Sequence, residues 1–91
     1  MRWLKKREIV IYYLIRRKFK DNKFNIGEVF DLLSPYFSKK VIKNSFSYLV
    51  KIGLIVKLDK MEYRAIPFDE YFNEISLKYL KRRLTLRHKT R

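Results

Sequence analysis

The stretch from Ser38 to Ile55 reads SKKVIKNSFSYLVKIGLI and holds the side chains best suited to engaging a polyanion. Wound as a helix at ~100° per residue, it places Lys39, Lys40, Lys43, Asn44, Ser47 and Lys51 within an arc of roughly 140°. Val41, Ile42, Ser45, Phe46, Leu49 and Ile52 take the remaining circumference. A lysine ammonium is a mobile point charge suited to phosphates. The carboxamide of Asn44 can bond bidentately to adenine, and the hydroxyl of Ser47 can bond to any base or to the backbone. Any amphipathic helix also needs a solvated face, so the pattern alone serves either reading. Val50 lies inside the polar arc, where it either touches a thymine methyl or packs on a neighbouring helix. Tyr48 borders the arc and suits a phosphate contact or a half-buried position in the core.

Charge favours the first reading. The chain has 91 residues, with 23 Lys and Arg against 9 Asp and Glu, a net charge of +14. A field of that size attracts nucleic acid and steers it in. The charge comes in blocks. Residues 1–20 are basic, 21–37 net negative, 38–51 basic, 59–76 net negative, and 77–91 basic with no acidic residue. Such alternation describes distinct surfaces rather than one polybasic tail.

Catalytic chemistry finds few candidates. Cysteine is absent, which removes disulfides, thiolate metal sites and thiol nucleophiles. The single histidine, His88, sits in the basic end without a fixed partner, and two glycines make no phosphate loop. Asp69, Glu70 and Glu74 suit the electrostatics of a helix start better than paired acid and base work. The expectation is a protein that is not an enzyme and takes no cofactor or metal. The longest apolar run, Ile9 to Ile15, is far below the ~20 residues of a membrane helix. Basic residues come directly after it, with no small-residue cleavage site, which suggests a mature cytoplasmic protein.

The positioning elements can be placed from periodicity and punctuation. Leu4, Ile11, Leu14, Ile15 and Phe19 share one side of a first helix over 5–19, opposite Lys5, Lys6, Tyr13, Arg16 and Arg17. Asp21-Asn22-Lys23 ends it, and Phe24-Asn25 forms a short extended piece. Asn25 and Glu28 make a capping-box pair that starts a second helix near Ile26, which buries Val29, Phe30, Leu32 and Leu33. Pro35 stops that helix and disfavours the helical conformation at Ser34. Ser38 caps the third helix and Gly53 closes it. Strands at 55–58 and 62–66 pair as a hairpin around Asp59, Lys60 and Met61. A last helix over about 69–85 precedes residues 87–91, which fray.

The polar helix start, the spaced Ile42, Phe46 and Leu49, and the closing Gly53-Leu54-Ile55 resemble the recognition helix and first wing strand of winged helix-turn-helix regulators, a group with many small archaeal, bacterial and viral members. The resemblance covers residues 5–66. It implies a mainly α fold with a small β-hairpin: three helices, a wing and a C-terminal helix. The whole is one domain over 1–91, with its core at 5–66, the last helix at 67–86 and a basic tail at 87–91. The implied function is sequence-specific binding of double-stranded DNA for transcription regulation, in the cytoplasm at the nucleoid. Lys57, Lys60 and Arg64 are the wing candidates by resemblance, with Asp59 and Glu62 opposing phosphate contact. The alternatives are nucleoid packing or RNA binding without base-specific duplex reading, and a domain that binds only protein.

The last helix carries two apolar stripes, Phe68, Tyr71, Phe72, Ile75 and Tyr79 on one side and Leu77, Leu80 and Leu84 nearly opposite. The aromatic stripe is expected to pack on its own domain and the leucines to form the seam of a homodimer. Burial of both stripes by the first helix is the competing arrangement.

Overall fold

The computed structural model describes residues 2–89, with side chains through Thr85. Its elements run α1 (Lys6–Phe19), β1 (Phe24–Asn25), α2 (Ile26–Leu33), α3 (Lys39–Ile52), β2 (Ile55–Lys57), β3 (Glu62–Ala65) and α4 (Phe68–Lys89). The fold is mainly helical with one small antiparallel sheet of order β1-β3-β2. Among the described residues, no helix is long and apolar enough to cross a membrane.

Local chemistry sets the boundaries. Asn25 accepts from the Glu28 amide at 2.8 Å while Glu28 accepts from the Asn25 amide at 3.0 Å, so the capping box opens α2 as expected. Ser38 Oγ accepts from the Val41 amide at 3.3 Å and opens α3. Gly53 closes α3 in the left-handed region at φ 91°, and the Leu54 amide reaches back to the Leu49 carbonyl at 3.0 Å.

Ser34 departs from expectation. It keeps helical dihedrals, φ −58° and ψ −30°, despite the proline after it. Its amide bonds to the Phe30 carbonyl at 2.8 Å, and the Tyr36 and Phe37 amides both bond to the Leu33 carbonyl at 3.0 Å. These bonds offset the pre-proline clash, and the chain turns after Ser34 rather than at it.

The apolar sides of α1, α2 and α3 meet in one core. Ile11, Ile15, Val29, Leu33, Ile42, Leu49, Leu54 and Ile55 are fully buried. Phe24 fixes β1 to this core, stacked on Phe19 at 4.7 Å and edge-on to Phe46 at 6.4 Å. That anchoring turns the expected extended piece into a third strand, with Phe24 opposite Tyr63 and Asn25 opposite Glu62. The hairpin strands stop at Lys57 and Ala65, one residue short of expectation at each end. The helical backbone of α4 continues to Lys89, so residues 87–89 extend the helix rather than fray. His88 belongs to that backbone, but its side chain lies outside the described residues, as do Thr90 and Arg91.

Arg16 ties the end of α1 to the sheet. Its Nη1 donates to the Lys20 carbonyl at 2.9 Å, to Asp21 at 3.0 Å and to the Ala65 carbonyl at 3.2 Å. Lys20 takes a positive φ of 53° at this turn. The Tyr12 hydroxyl donates to the Ile66 carbonyl, and burial raises its pKa.

Candidate nucleic-acid interface

The inner side of α3 is buried through Ile42, Ser45, Phe46 and Leu49. This packing fixes the rotation of the helix. Lys39, Lys40, Lys43, Asn44, Ser47 and Lys51 are therefore all exposed, as their spacing requires. None of their side chains joins an intramolecular hydrogen bond or ion pair among the described residues. Four ammonium groups, one carboxamide and one hydroxyl thus share a free face. Val50 is half-buried against the core, which leaves the base-contact alternative without support.

Tyr48 belongs elsewhere. Its hydroxyl donates to the Arg2 carbonyl at 2.7 Å, and the Arg2 guanidinium lies 3.8 Å above its ring. The same guanidinium donates to both oxygens of Glu8, at 2.8 and 2.6 Å. The Lys5 amide completes the cage at 2.8 Å from Glu8 Oε1. Glu8 is buried, yet the Arg2 hydrogen bonds hold its carboxyl below the ordinary range against the opposing effect of burial. Arg2, Glu8 and Tyr48 form a latch that pins the N-terminal arm across α1 and α3. The phosphate role open to Tyr48 gives way to this packing role, because its one proton is committed inside the protein.

Beside the latch, between the first turn of α1 and the N-terminal half of α3, lies a cavity of about 350 Å³. Arg2, Lys5, Arg7, Lys40 and Asn44 contribute to its walls, along with Glu8. Both helices carry cations at their starts, although α1 also holds Glu8 in its first turn. α1 opens on Lys6 and Arg7 after Lys5, and α3 opens on Lys39 and Lys40 with no acid in its first turn. Cations at a helix N-terminus cost about 0.3–1 kcal/mol each, and an anion placed there reverses the sign. From the sequence, Lys5 reads as solvated, and Arg2 and Arg7 carry no assignment. The run Lys5-Lys6-Arg7 at a helix start is the signal that points to them.

The wing candidates separate. Lys57 stands opposite Tyr63, and Arg64 stands opposite Val56. Side chains alternate along a strand, so Lys57 and Arg64 lie on opposite faces of the sheet. Lys57 and Lys60 are exposed while Arg64 is half-buried. At the tip, Lys60 is joined to Asp59, whose carboxylate accepts from the Lys60 amide at 2.7 Å. These three cations do not make one patch.

α4 diverges from the body, bordering open cavities against Ile52, Gly53 and Val56 as far as Lys78. Tyr71 is half-buried, which raises its pKa, and Phe68 packs near Tyr12 with ring centroids 6.4 Å apart. Beyond them Phe72, Ile75 and Tyr79 are exposed, and so are Leu77, Leu80 and Leu84. Past Tyr71 the aromatic stripe is therefore only partly covered by its own domain, and α1 meets it through Tyr12 at Phe68 but leaves the leucines exposed. The projecting helix stretches the molecule to 56 × 24 × 22 Å.

Among the described residues, no three His, Cys, Asp or Glu side chains gather as a metal site would require. Comparison with protein-family models, with curated proteins and with solved structures returned no match.

Proposed function

We propose that this protein binds double-stranded DNA in a sequence-specific manner, as a winged helix-turn-helix regulator of transcription with α3 in the major groove. The observation that carries the reading is the outer face of α3: six polar side chains, fixed in rotation by a buried inner side and free of internal partners among the described residues. The succession of α1, α2, a tight turn, α3 and the β2-β3 pair supports it, as does the net charge of +14.

Lys39, Lys40, Lys43 and Lys51 neutralise phosphates and supply most of the salt-dependent affinity. Asn44 reads adenine through paired hydrogen bonds and Ser47 adds an adaptable one. The cavity beside the latch receives a flanking phosphate between Lys5, Arg7 and Lys40, where the α3 start, which has no acid in its first turn, favours negative charge. Lys57 and Lys60 are the wing cations best placed to touch the backbone. Arg64 has the weaker claim because it is half-buried on the other face. Residence at the nucleoid is the natural consequence of such binding.

Selection of bound duplexes from a random pool tests the reading. A regulator retains one short motif by a factor of about a thousand or more over random DNA. Lys43→Ala then weakens all duplexes and lowers the salt slope by about one unit. Asn44→Ala relaxes preference at one base pair, at a cost of ~1–3 kcal/mol. Equal, sequence-blind losses from both variants point instead to DNA packing, and a preference for single-stranded RNA competitor points to RNA binding.

A further inference from the structure

We infer that α4 is the seam of a homodimer in which the aromatic stripes of two chains, Phe68, Phe72, Ile75 and Tyr79, pack antiparallel. The inference goes beyond the DNA-binding reading and stands whether or not α3 reads bases.

An uncovered helix of this kind is unfinished. α4 has 22 residues, yet of its described residues only Tyr71 packs on the core, with Ile75 and Lys78 bordering an open groove against Ile52 and Val56. Helices of this length gain most of their stability from burying an apolar face. Here Phe72 is 53% exposed and Tyr79 61%. The stripe also continues onto the body. Trp3, 74% exposed, shares one shallow cavity with Phe68 and Phe72 and another with Ile9 and Tyr13. At ~200 Å² per full aromatic side chain, Trp3, Tyr13, Phe68, Phe72 and Tyr79 leave on the order of 600 Å² uncovered per chain. A stable protein interface buries about 800 Å² per partner, so a second copy of this surface is close to sufficient.

Charge selects the occupant and its direction. Asp69, Glu70 and Glu74 crowd the first part of α4, and Lys78, Lys81, Arg82 and Arg83 crowd the turns beyond. Two such helices running the same way set these four cations against their own copies. Running oppositely, with Phe68 level with the partner's Tyr79, each acidic start lies level with the partner's Lys78, and Lys81, Arg82 and Arg83 pass beyond the partner's helix start instead of meeting their own copies. The same gradient decides between the stripes. Leu77, Leu80 and Leu84 lie wholly within the basic stretch, so two-fold pairing through them brings like charges together in either direction. The aromatic stripe spans the change of sign and pairs without that conflict. The seam therefore moves from the leucines expected from the sequence to the aromatic side of the helix.

The cysteine-free chain makes the test direct. In the full-length protein, light scattering at micromolar concentration is expected to give twice the chain mass. With Phe68 level with the partner's Tyr79, Asp69→Cys is expected not to self-link but to link with Ser76→Cys, which lies on the same flank of the seam, when the two variants are mixed. Tyr79→Asp, at an exposed position, is expected to give a monomer with unchanged circular dichroism. It retains α3 and its binding to single half-sites, which separates this test from that of DNA reading. A monomer mass for the unmodified chain, or self-linking of Asp69→Cys as a parallel seam requires, overturns the inference. So does a monomer whose α4 engages only vesicles of anionic lipid.

Discussion

α3 and α4 are both helices rich in lysine and apolar residues, and the protein uses them in opposite ways. α3 packs Ile42, Phe46 and Leu49 into the core, so its polar side is a finished surface set at a fixed angle. α4 has only Tyr71 packed on the core, and most of its apolar side chains stand largely in solvent. The contrast shows that an amphipathic pattern defines a face but not what covers it. A basic face becomes a reading surface only when the opposite face is anchored.

Mutations can break this comparison, beginning with the largest effect. Phe46→Ala removes a ring that meets Tyr63 edge-on at 4.9 Å and is expected to cost ~3–5 kcal/mol in urea denaturation. Phe72→Ala is expected to change the stability of the dissociated chain by less than about 0.5 kcal/mol. Similar losses from the two would mean that α4 is as anchored as α3.

Gly53 closes α3 beside the first turn of α4. A Cβ there meets only the Tyr71 ring edge at 3.7 Å, an ordinary contact, so the cost of Gly53→Ala comes from its positive φ. That cost is expected to be about 1–2 kcal/mol, read as a lower melting temperature.

The subtlest effect concerns the latch that holds the N-terminal arm on Tyr48. Arg2 depresses the Glu8 pKa in the folded state, so the unfolded chain binds the proton more readily. The stability this supplies is complete above the ordinary carboxylate range and is lost as pH falls through and below about 4. Glu8→Gln is expected to flatten the acid limb of a stability–pH curve and leave the curve above pH 6 parallel to that of the unmodified protein. An unchanged acid limb would show that the latch contributes nothing to folding.

Much of the body was legible in the chain itself. Asn25 with Glu28, Ser38 and Gly53 marked helix ends because each satisfies backbone groups within a few residues. The exposed cations of α3 were legible for the same reason: one buried side at helical spacing determines the other. Tyr48 was not, since its angle on the helix allowed two environments and the choice lay with Arg2, far away in sequence. Glu8 was also hidden. A carboxylate in an otherwise basic segment reads as solvated until the guanidinium that buries it is placed.

By itself, the sequence determined where helices begin and end, which side of each is apolar, and that the protein's surface is dominated by positive charge. These properties depend on backbone hydrogen bonding and side-chain period over a few residues. Only the tertiary structure decided that Phe24 adds a third strand, that the wing cations are divided between two faces, that Arg2 locks Tyr48, and that α4 projects with its aromatic stripe open. Each of these depends on surfaces contributed by distant segments. Burial and desolvation act on such surfaces only once the chain has folded.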